Sequence, residues 1–247
     1  MIITYAQIDS TNRVAKELAA EGRPAGTVVH AVSQSAGKGQ YGRCFNSPAG
    51  GLYFSLLLEP DLPLEILPLT TLAAGLACRN VLHQAFNLVP FIKWPNDLYL
   101  GGKKVAGILC EHICTPHPSD TAAKVIIGVG LNANNRIGDF DGDIQPLVTT
   151  LFEHMRKTVD LDALLGHLTQ AISGQVMRLR QDRESVLAEW QQYDFLLHRR
   201  VVHVCEERVL HGVGQGITSQ GLYRLRDDHG AEHELIGGQL RPQPGGA

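Results

Sequence analysis

Lys38 and Arg43 stand among the glycines of Gln34-Ser-Ala-Gly-Lys-Gly-Gln-Tyr-Gly-Arg43. Cations set between glycines suit an anionic ligand. The bare backbone can turn its amides inward while the side chains add charge. A second chemically equipped segment, Lys93-Trp-Pro-Asn96-Asp97, precedes Gly101-Gly102-Lys103-Lys104. A third places Gly128, Gly130 and Asn132 in one strand-like run. Glycines there would let a ligand approach the backbone. Taken together, these residues could bind a nucleoside triphosphate through backbone amides, lysines and a metal held by Asp or Asn.

Gly37 to Gly42 match G-x-G-x-x-G, but a dinucleotide loop must open a helix whose N-terminus holds the pyrophosphate. Here Cys44-Phe45-Asn46-Ser47-Pro48-Ala49-Gly50-Gly51 follows, then the strand-like Leu-Tyr-Phe-Ser-Leu-Leu-Leu. The dinucleotide reading fails on that context. The sequence also lacks G-x-x-x-x-G-K-[ST], so a P-loop is excluded.

The elements that must position these residues follow from patterning. Asp9, Ser10 and Thr11 are helix-capping types before Val14, Ala15, Leu18 and Ala19 at helical spacing. Residues 27–32 predict a strand feeding the glycine loop, and Leu69 to Phe86 a long amphipathic helix. Residues 97–100 and 104–113 predict a hairpin turned at Gly101-Gly102. A polar loop, residues 115–123, leads to a strand ending near Asn134. Asp160 caps a helix to about Arg180, and a second covers about Glu184 to Tyr193. From His198 onward, short strands broken by Gly and Asp predict a small all-β unit.

The 247 residues are 44% hydrophobic and 19% charged with a formal net charge of -3, an ordinary globular composition. A dedicated nucleic-acid binder would carry a basic excess, so that class is not expected. Five cysteines, an odd number at irregular spacing, argue for a reducing compartment over a disulfide framework. No signal peptide or membrane span is expected, and the predicted location is cytoplasmic. Cys110, His112, Cys114 and His117 offer zinc-ligand types at short intervals. Structural zinc sites usually take two pairs from separate turns, so Cys110 is expected to be ordinary core.

Asp9-Ser-Thr-Asn12, the glycine loop, Lys-Trp-Pro-Asn-Asp97 with Lys103-Lys-Val-Ala-Gly-Ile-Leu-Cys-Glu111, and Val-Ile-Ile-Gly-Val-Gly-Leu-Asn132 closely resemble the biotin protein ligases. The resemblance covers about residues 2–134. It implies an α+β fold: a mixed β-sheet with packed helices, of the class II aminoacyl-synthetase and biotin-ligase kind, over residues 1–196. A small C-terminal SH3-like β-barrel would fill residues 197–247.

The resemblance also implies site roles. Biotin would meet Ser10, Thr11, Asn12, Gln34, Lys38, Gly39, Gln40, Lys104 and Gly107. The nucleotide would meet Gly37, Lys38, Gly39, Gln40, Tyr41, Gly42, Arg43, Phe45, Lys93, Asn96, Asp97, Lys104, Gly128, Gly130 and Asn132. Asn132 would also stand near Mg²⁺, and Lys104, Lys38 and Arg43 would be catalytic. The implied reaction activates biotin with ATP as biotinyl-5′-adenylate, then passes it to a lysine of a biotin carboxyl carrier protein. Relatives bearing an N-terminal helix-turn-helix also repress transcription. Only eight residues precede Asp9 here, so DNA binding is not expected. The family's edge-to-edge homodimer is left open.

Two positions depart from the family's usual pattern: Gln40 stands where arginine is common, and Phe45 where tryptophan is common. Two rival readings share some of these residues. A lipoate or octanoate ligase would use the same acyl-adenylate logic, but without Lys-Trp-Pro-Asn-Asp and the terminal barrel. A non-catalytic biotin or nucleotide sensor would need no charge at the reaction centre, which Lys38, Lys104 and Asp97 supply.

Overall fold

The computed structural model describes residues 1–114, 123–206 and 208–243. Two sheets organise the chain. In the larger, β1 (Ile2–Ile8) pairs in parallel with β2 (Val28–Gln34), joined by helix α1 (Thr11–Ala20). The rest is antiparallel: β3 (Leu52–Leu58), β4 (Phe91–Lys93), β5 (Asp97–Leu100), β6 (Lys103–Cys114) and β7 (Ala123–Leu131). The strand order is β1-β2-β3-β7-β6-β5-β4. The sheet is therefore mixed, as the sequence predicted.

Its two faces differ because alternate residues point opposite ways along each strand. Leu52, Phe54 and Leu56 of β3, Ala106 and Ile108 of β6, and Val125, Ile127, Val129 and Leu131 of β7 enter the main core. That core takes in helix α2 (Leu69–Phe86) and the later helices α3 (Leu151–Met155), α4 (Leu161–Gln181) and α5 (Arg183–Gln191). On the opposite face α1 buries Val14, Ala15 and Ala19 against Val29, Leu57 and Ile126. This second cluster is small and stops where β7 turns to glycine.

The C-terminal unit is a five-stranded antiparallel sheet, ordered β11-β10-β9-β8-β12: β8 (Arg200–Cys205), β9 (Arg208–Ile217), β10 (Tyr223–Asp227), β11 (Glu232–Leu235) and β12 (Gln239–Pro242). It shares a core with the larger part: Tyr223, Leu225 and Leu240 belong to the same cluster as α2 and α5. Trp94 is 3% exposed and donates its indole N–H to Gly221 O at 3.0 Å, so it is core. Tyr223 Oη donates to Asp194 Oδ2 at 2.8 Å across the same junction.

Three elements escape the sequence reading. β1 is largely exposed and β4 is three residues long, so neither shows a clear period. The five-residue α3 is capped by Thr150, which accepts from Glu153 N. The predicted loop at 115–123 lies almost wholly outside the described residues, as does His117. Cys110 packs against the main core, with burial pushing its thiol up to about 11. Among the described residues, no helix is long and apolar enough to cross a membrane.

Candidate active site

The pocket exists because side chains are missing from one row of the sheet. β-Pairing aligns Tyr53 with Gly130, Gly130 with Gly107, Gly107 with Asp97, and Asp97 with Lys93. The row therefore reads Tyr53, Gly130, Gly107, Asp97, Lys93 across five strands, with two glycines as its floor. The next row aligns Ser55, Gly128 and Leu109. The N-terminus of α1 supplies one wall of the cavity, and the loop from Gln34 to Phe45 covers it. Its lining includes Ser10, Thr11, Asn12, Gln34, Lys38, Gly39, Gln40, Arg43, Phe45, Asn96, Asp97, Lys104, Gly107, Gly128 and Gly130.

At the α1 wall, Ser10 is the N-cap residue, yet its side chain makes no capping bond. Gln34 does that work from β2, accepting from Thr11 N at 2.8 Å and from Thr11 Oγ1 at 3.2 Å. Its amide nitrogen donates to Ser47 Oγ at 2.9 Å. Ser55 Oγ lies 2.6 Å from Asn12 Oδ1 and 2.8 Å from Thr11 Oγ1. Asn12 Nδ2 donates to Glu111 Oε2 at 2.8 Å and Leu109 O at 3.2 Å. This wall offers fixed donors and acceptors to a small polar ring.

The opposite wall is ionic. Lys104 Nζ lies 2.6 Å from Asp97 Oδ1, and Lys93 Nζ lies 3.6 Å from Asp97 Oδ2. Burial pushes Lys93 below the ordinary lysine range, with Asp97 opposing the shift. Strict alternation from Gly107 would turn Lys104 to the other face. The register instead shifts between Leu98 and Tyr99, which pair with Ala106 and Lys104. Val105 is the extra residue, and this bulge re-aims Lys104 into the pocket. Asn96 Nδ2 donates to Ile108 O at 2.8 Å, locking the turn before β5.

Phe45 reaches the floor beneath the loop. Its ring lies 5.4 Å from Lys104 Nζ and meets Tyr53 edge-on at 6.4 Å. A Cβ at Gly130 would come within 2.4 Å of that ring, and one at Gly128 within 2.0 Å of Asn12 Oδ1. The sequence reading gave these glycines to ligand approach. In this structure, it is the protein's own Phe45 and Asn12 that need the space.

The loop also differs from the open nest expected. Gly39 N donates to Arg43 O at 2.7 Å, so that amide is already engaged. Tyr41 and Gly42 take positive φ values of 56° and 70° in a 3-10 turn, Gln40–Gly42. Tyr41 points away from the pocket and accepts from Gly238 N at 2.9 Å, tying the loop to the C-terminal sheet. Lys38 and Arg43 are exposed cations on the pocket side and carry no ion pair among the described residues.

Most of the expected residues therefore converge, and five lie outside the lining: Gly37, Tyr41, Gly42, Lys93 and Asn132. Lys93 stands behind Asp97, and Gly37 packs under Phe45 O and Ser47. Asn132 directly follows β7, 2% exposed, with Nδ2 donating to Thr149 O at 3.1 Å and Oδ1 unpartnered. Sequence reasoning missed Ser55, Glu111 and Tyr53. Strand alternation with Gly128 and Gly130 is the signal that could have found Ser55 and Tyr53.

The mixed seven-stranded sheet thus carries a glycine-floored pocket, polar at one end and ionic at the other. The chain belongs to the biotin/lipoate A/B protein ligase family, whose profile matches residues 4–132. It is 36% identical over 168 residues to the bifunctional ligase/repressor BirA of Bacillus subtilis, covering 68% of this chain and 51% of that protein. It thus spans about half the length of the Bacillus relatives it matches. The biotin–[acetyl-CoA-carboxylase] ligase of Paracoccus denitrificans is 31% identical over 236 residues, covering 92% of this chain and 95% of its own. The solved biotin protein ligase from Aquifex aeolicus, in complex with biotin and ATP, superposes with a TM-score of 0.82. Its identity is 29%, covering 98% of this chain and 99% of that one.

Proposed function

We propose that this chain is an ATP-dependent biotin–protein ligase. The biotin carboxylate attacks the α-phosphorus of ATP, forming biotinyl-5′-adenylate and releasing pyrophosphate. A lysine amine of a biotin carboxyl carrier protein then attacks the mixed anhydride, forming the amide and releasing AMP. The observation that carries this reading is the Lys104–Asp97 pair at one end of a pocket whose other end is the Thr11, Asn12 and Gln34 wall.

The first step brings two anions together, so preorganised positive charge is the main requirement. Lys104 is held by Asp97 at the pocket floor, and Lys38 and Arg43 stand on the covering loop. In this proposal Ser10, Thr11, Asn12 and Gln34 hold the ureido ring, and Lys104 meets the biotin carboxylate and the α-phosphate. Phe45, Asn96, Asp97 and Gly130 frame the nucleotide, and Gly128 leaves room for Asn12 on the ring side. The loop closes over the adenylate to exclude water. The catalytic unit would be residues 1–196 and the β unit residues 197–247, in a reducing, cytoplasmic setting.

Mg²⁺ fits as an ion carried on the nucleotide's phosphates. The described residues hold no cluster of three acidic, His or Cys side chains suited to a metal. The buried, unpartnered Asn132 Oδ1 is an oxygen of the kind a hard cation takes. When bound, the ion would neutralise phosphate charge.

Pyrophosphate release from ATP, with biotin, lipoate or octanoate offered separately, tests the reading. Release with biotin alone is expected. Release with lipoate or octanoate alone would transfer the protein to the rival acyl-adenylating class. Binding of biotin without release would make it a sensor.

A further inference from the structure

Glu111 is not itself part of the pocket lining, yet it holds the one amide whose orientation decides what the polar wall presents. An asparagine side chain can offer either its oxygen or its nitrogen to a ligand, and its neighbours choose between them. Both hydrogens of Asn12 Nδ2 are taken, one by Glu111 Oε2 and the other by Leu109 O. An ionised carboxylate only accepts, so Nδ2 must face it. Oδ1 is thereby turned toward Ser55 Oγ and over the bare Gly128. Ser55 uses one lone pair of that oxygen, leaving the other for a donor in the pocket.

The carboxylate is itself held ionised. Burial raises the Glu111 acid, but bonds from Lys16 and Asn12 outweigh this and bring it below the ordinary glutamate range. Lys16 projects from α1 one turn beyond Asn12 and pairs with Glu111 Oε1. The chain Lys16, Glu111, Asn12 thus joins the exposed side of α1 to the wall of the pocket.

We propose that Glu111 is a positioning residue for ring recognition: by fixing the Asn12 amide, it makes that wall an acceptor for an N–H of the bound ring. The proposal rests on the biotin-ligase reading, in which that ring is a cyclic urea. It places Glu111 in substrate selection and leaves nucleotide binding to the other wall.

The test compares biotin and ATP separately in Glu111→Met, close in size but without an acceptor. The KM for biotin is expected to rise about tenfold, with the KM for ATP within twofold. Glu111→Gln, which keeps an acceptor, should recover to within about threefold. In the Asn12→Ala background the same Glu111 substitutions should add less than twofold, because there is no amide left to orient. Equal rises in both KM values, no rise, or full additivity with Asn12→Ala would overturn the proposal. Should Glu111→Met fail to fold, Glu111→Leu, which also lacks an acceptor, carries the same comparison with and without Asn12→Ala. Wild-type protein that releases no pyrophosphate with biotin would refute the ligase reading; active wild type with unaffected variants refutes the Glu111 role alone.

Discussion

Lys104 Nζ sits 2.6 Å from Asp97 Oδ1, although the two residues belong to adjacent strands and a bulge separates their registers. The pair fixes an ammonium at the pocket floor, where a reacting carboxylate and phosphate would meet. Lys104→Ala is expected to slow adenylate formation by roughly 10²–10³-fold, the scale of losing one preorganised charge donor. Single-turnover kinetics would measure it. A loss below about threefold would make Lys104 a solvated strand charge.

Gly128 and Gly130 stand two residues apart on β7 and guard different neighbours. Gly128→Ala would drive a methyl to within 2.0 Å of Asn12 Oδ1, and Gly130→Ala to within 2.4 Å of the Phe45 ring. The first is expected to raise the KM for biotin by roughly tenfold and the second the KM for ATP by a similar factor. Steady-state kinetics with each substrate varied would separate them. Indistinguishable effects would mean the two walls do not divide the substrates.

Asp194 couples the two parts of the molecule. Burial pushes its carboxyl up to about 6, against bonds from Leu196 N and Tyr223 Oη and the nearby Arg199 and His198. The folded state therefore binds a proton more tightly than the unfolded chain. The associated stability is full below about pH 4 and is lost as pH rises through about 6. Asp194→Asn should flatten stability over that window. It should also raise it at pH 7, where the buried carboxylate would otherwise be ionised, by on the order of 2–3 kcal/mol. Thermal unfolding across pH 4 to 8 checks both. A wild-type profile that is flat in this window would contradict the expectation.

Gln40 lines the pocket in the covering loop, where arginine is usual among biotin ligases. A neutral contact in place of a charged one costs about 1–2 kcal/mol, or roughly five- to thirtyfold in escape of the adenylate. Gln40→Arg is expected to slow release of biotinyl-5′-adenylate by that factor. Unchanged release would mean that retention does not depend on charge at this position, Lys38 and Arg43 sufficing.

Much of the machinery was legible because it is local in sequence. Lys-Trp-Pro-Asn-Asp97 and Lys103 to Glu111 carry their meaning in residue type and order, and Gly101-Gly102 marks its own turn through positive φ values of 58° and 80°. The long helices and the glycine-poor strands follow from their periods. β1 and β4 were not legible: an exposed edge strand and a three-residue strand are defined by what they pair with. Glu111 was quoted as part of a motif, but its role required Asn12, ninety-nine residues away.

The sequence alone determined which chemical groups are present and that a glycine-rich loop, a hairpin and a two-glycine strand must converge. Tertiary structure decided which atoms are free to act. Pairing across five strands set Lys93, Asp97, Gly107, Gly130 and Tyr53 in one row, and the extra residue at Val105 turned Lys104 onto the face that composition could not assign. It also engaged the Gly39 amide within the loop, gave the glycine floor to Phe45 and Asn12, and sent Tyr41 to the C-terminal sheet. The physical reason is that strand register and hydrogen-bond satisfaction are long-range conditions. A one-residue shift reverses every side chain in a strand, and no local pattern records which partner an amide will find.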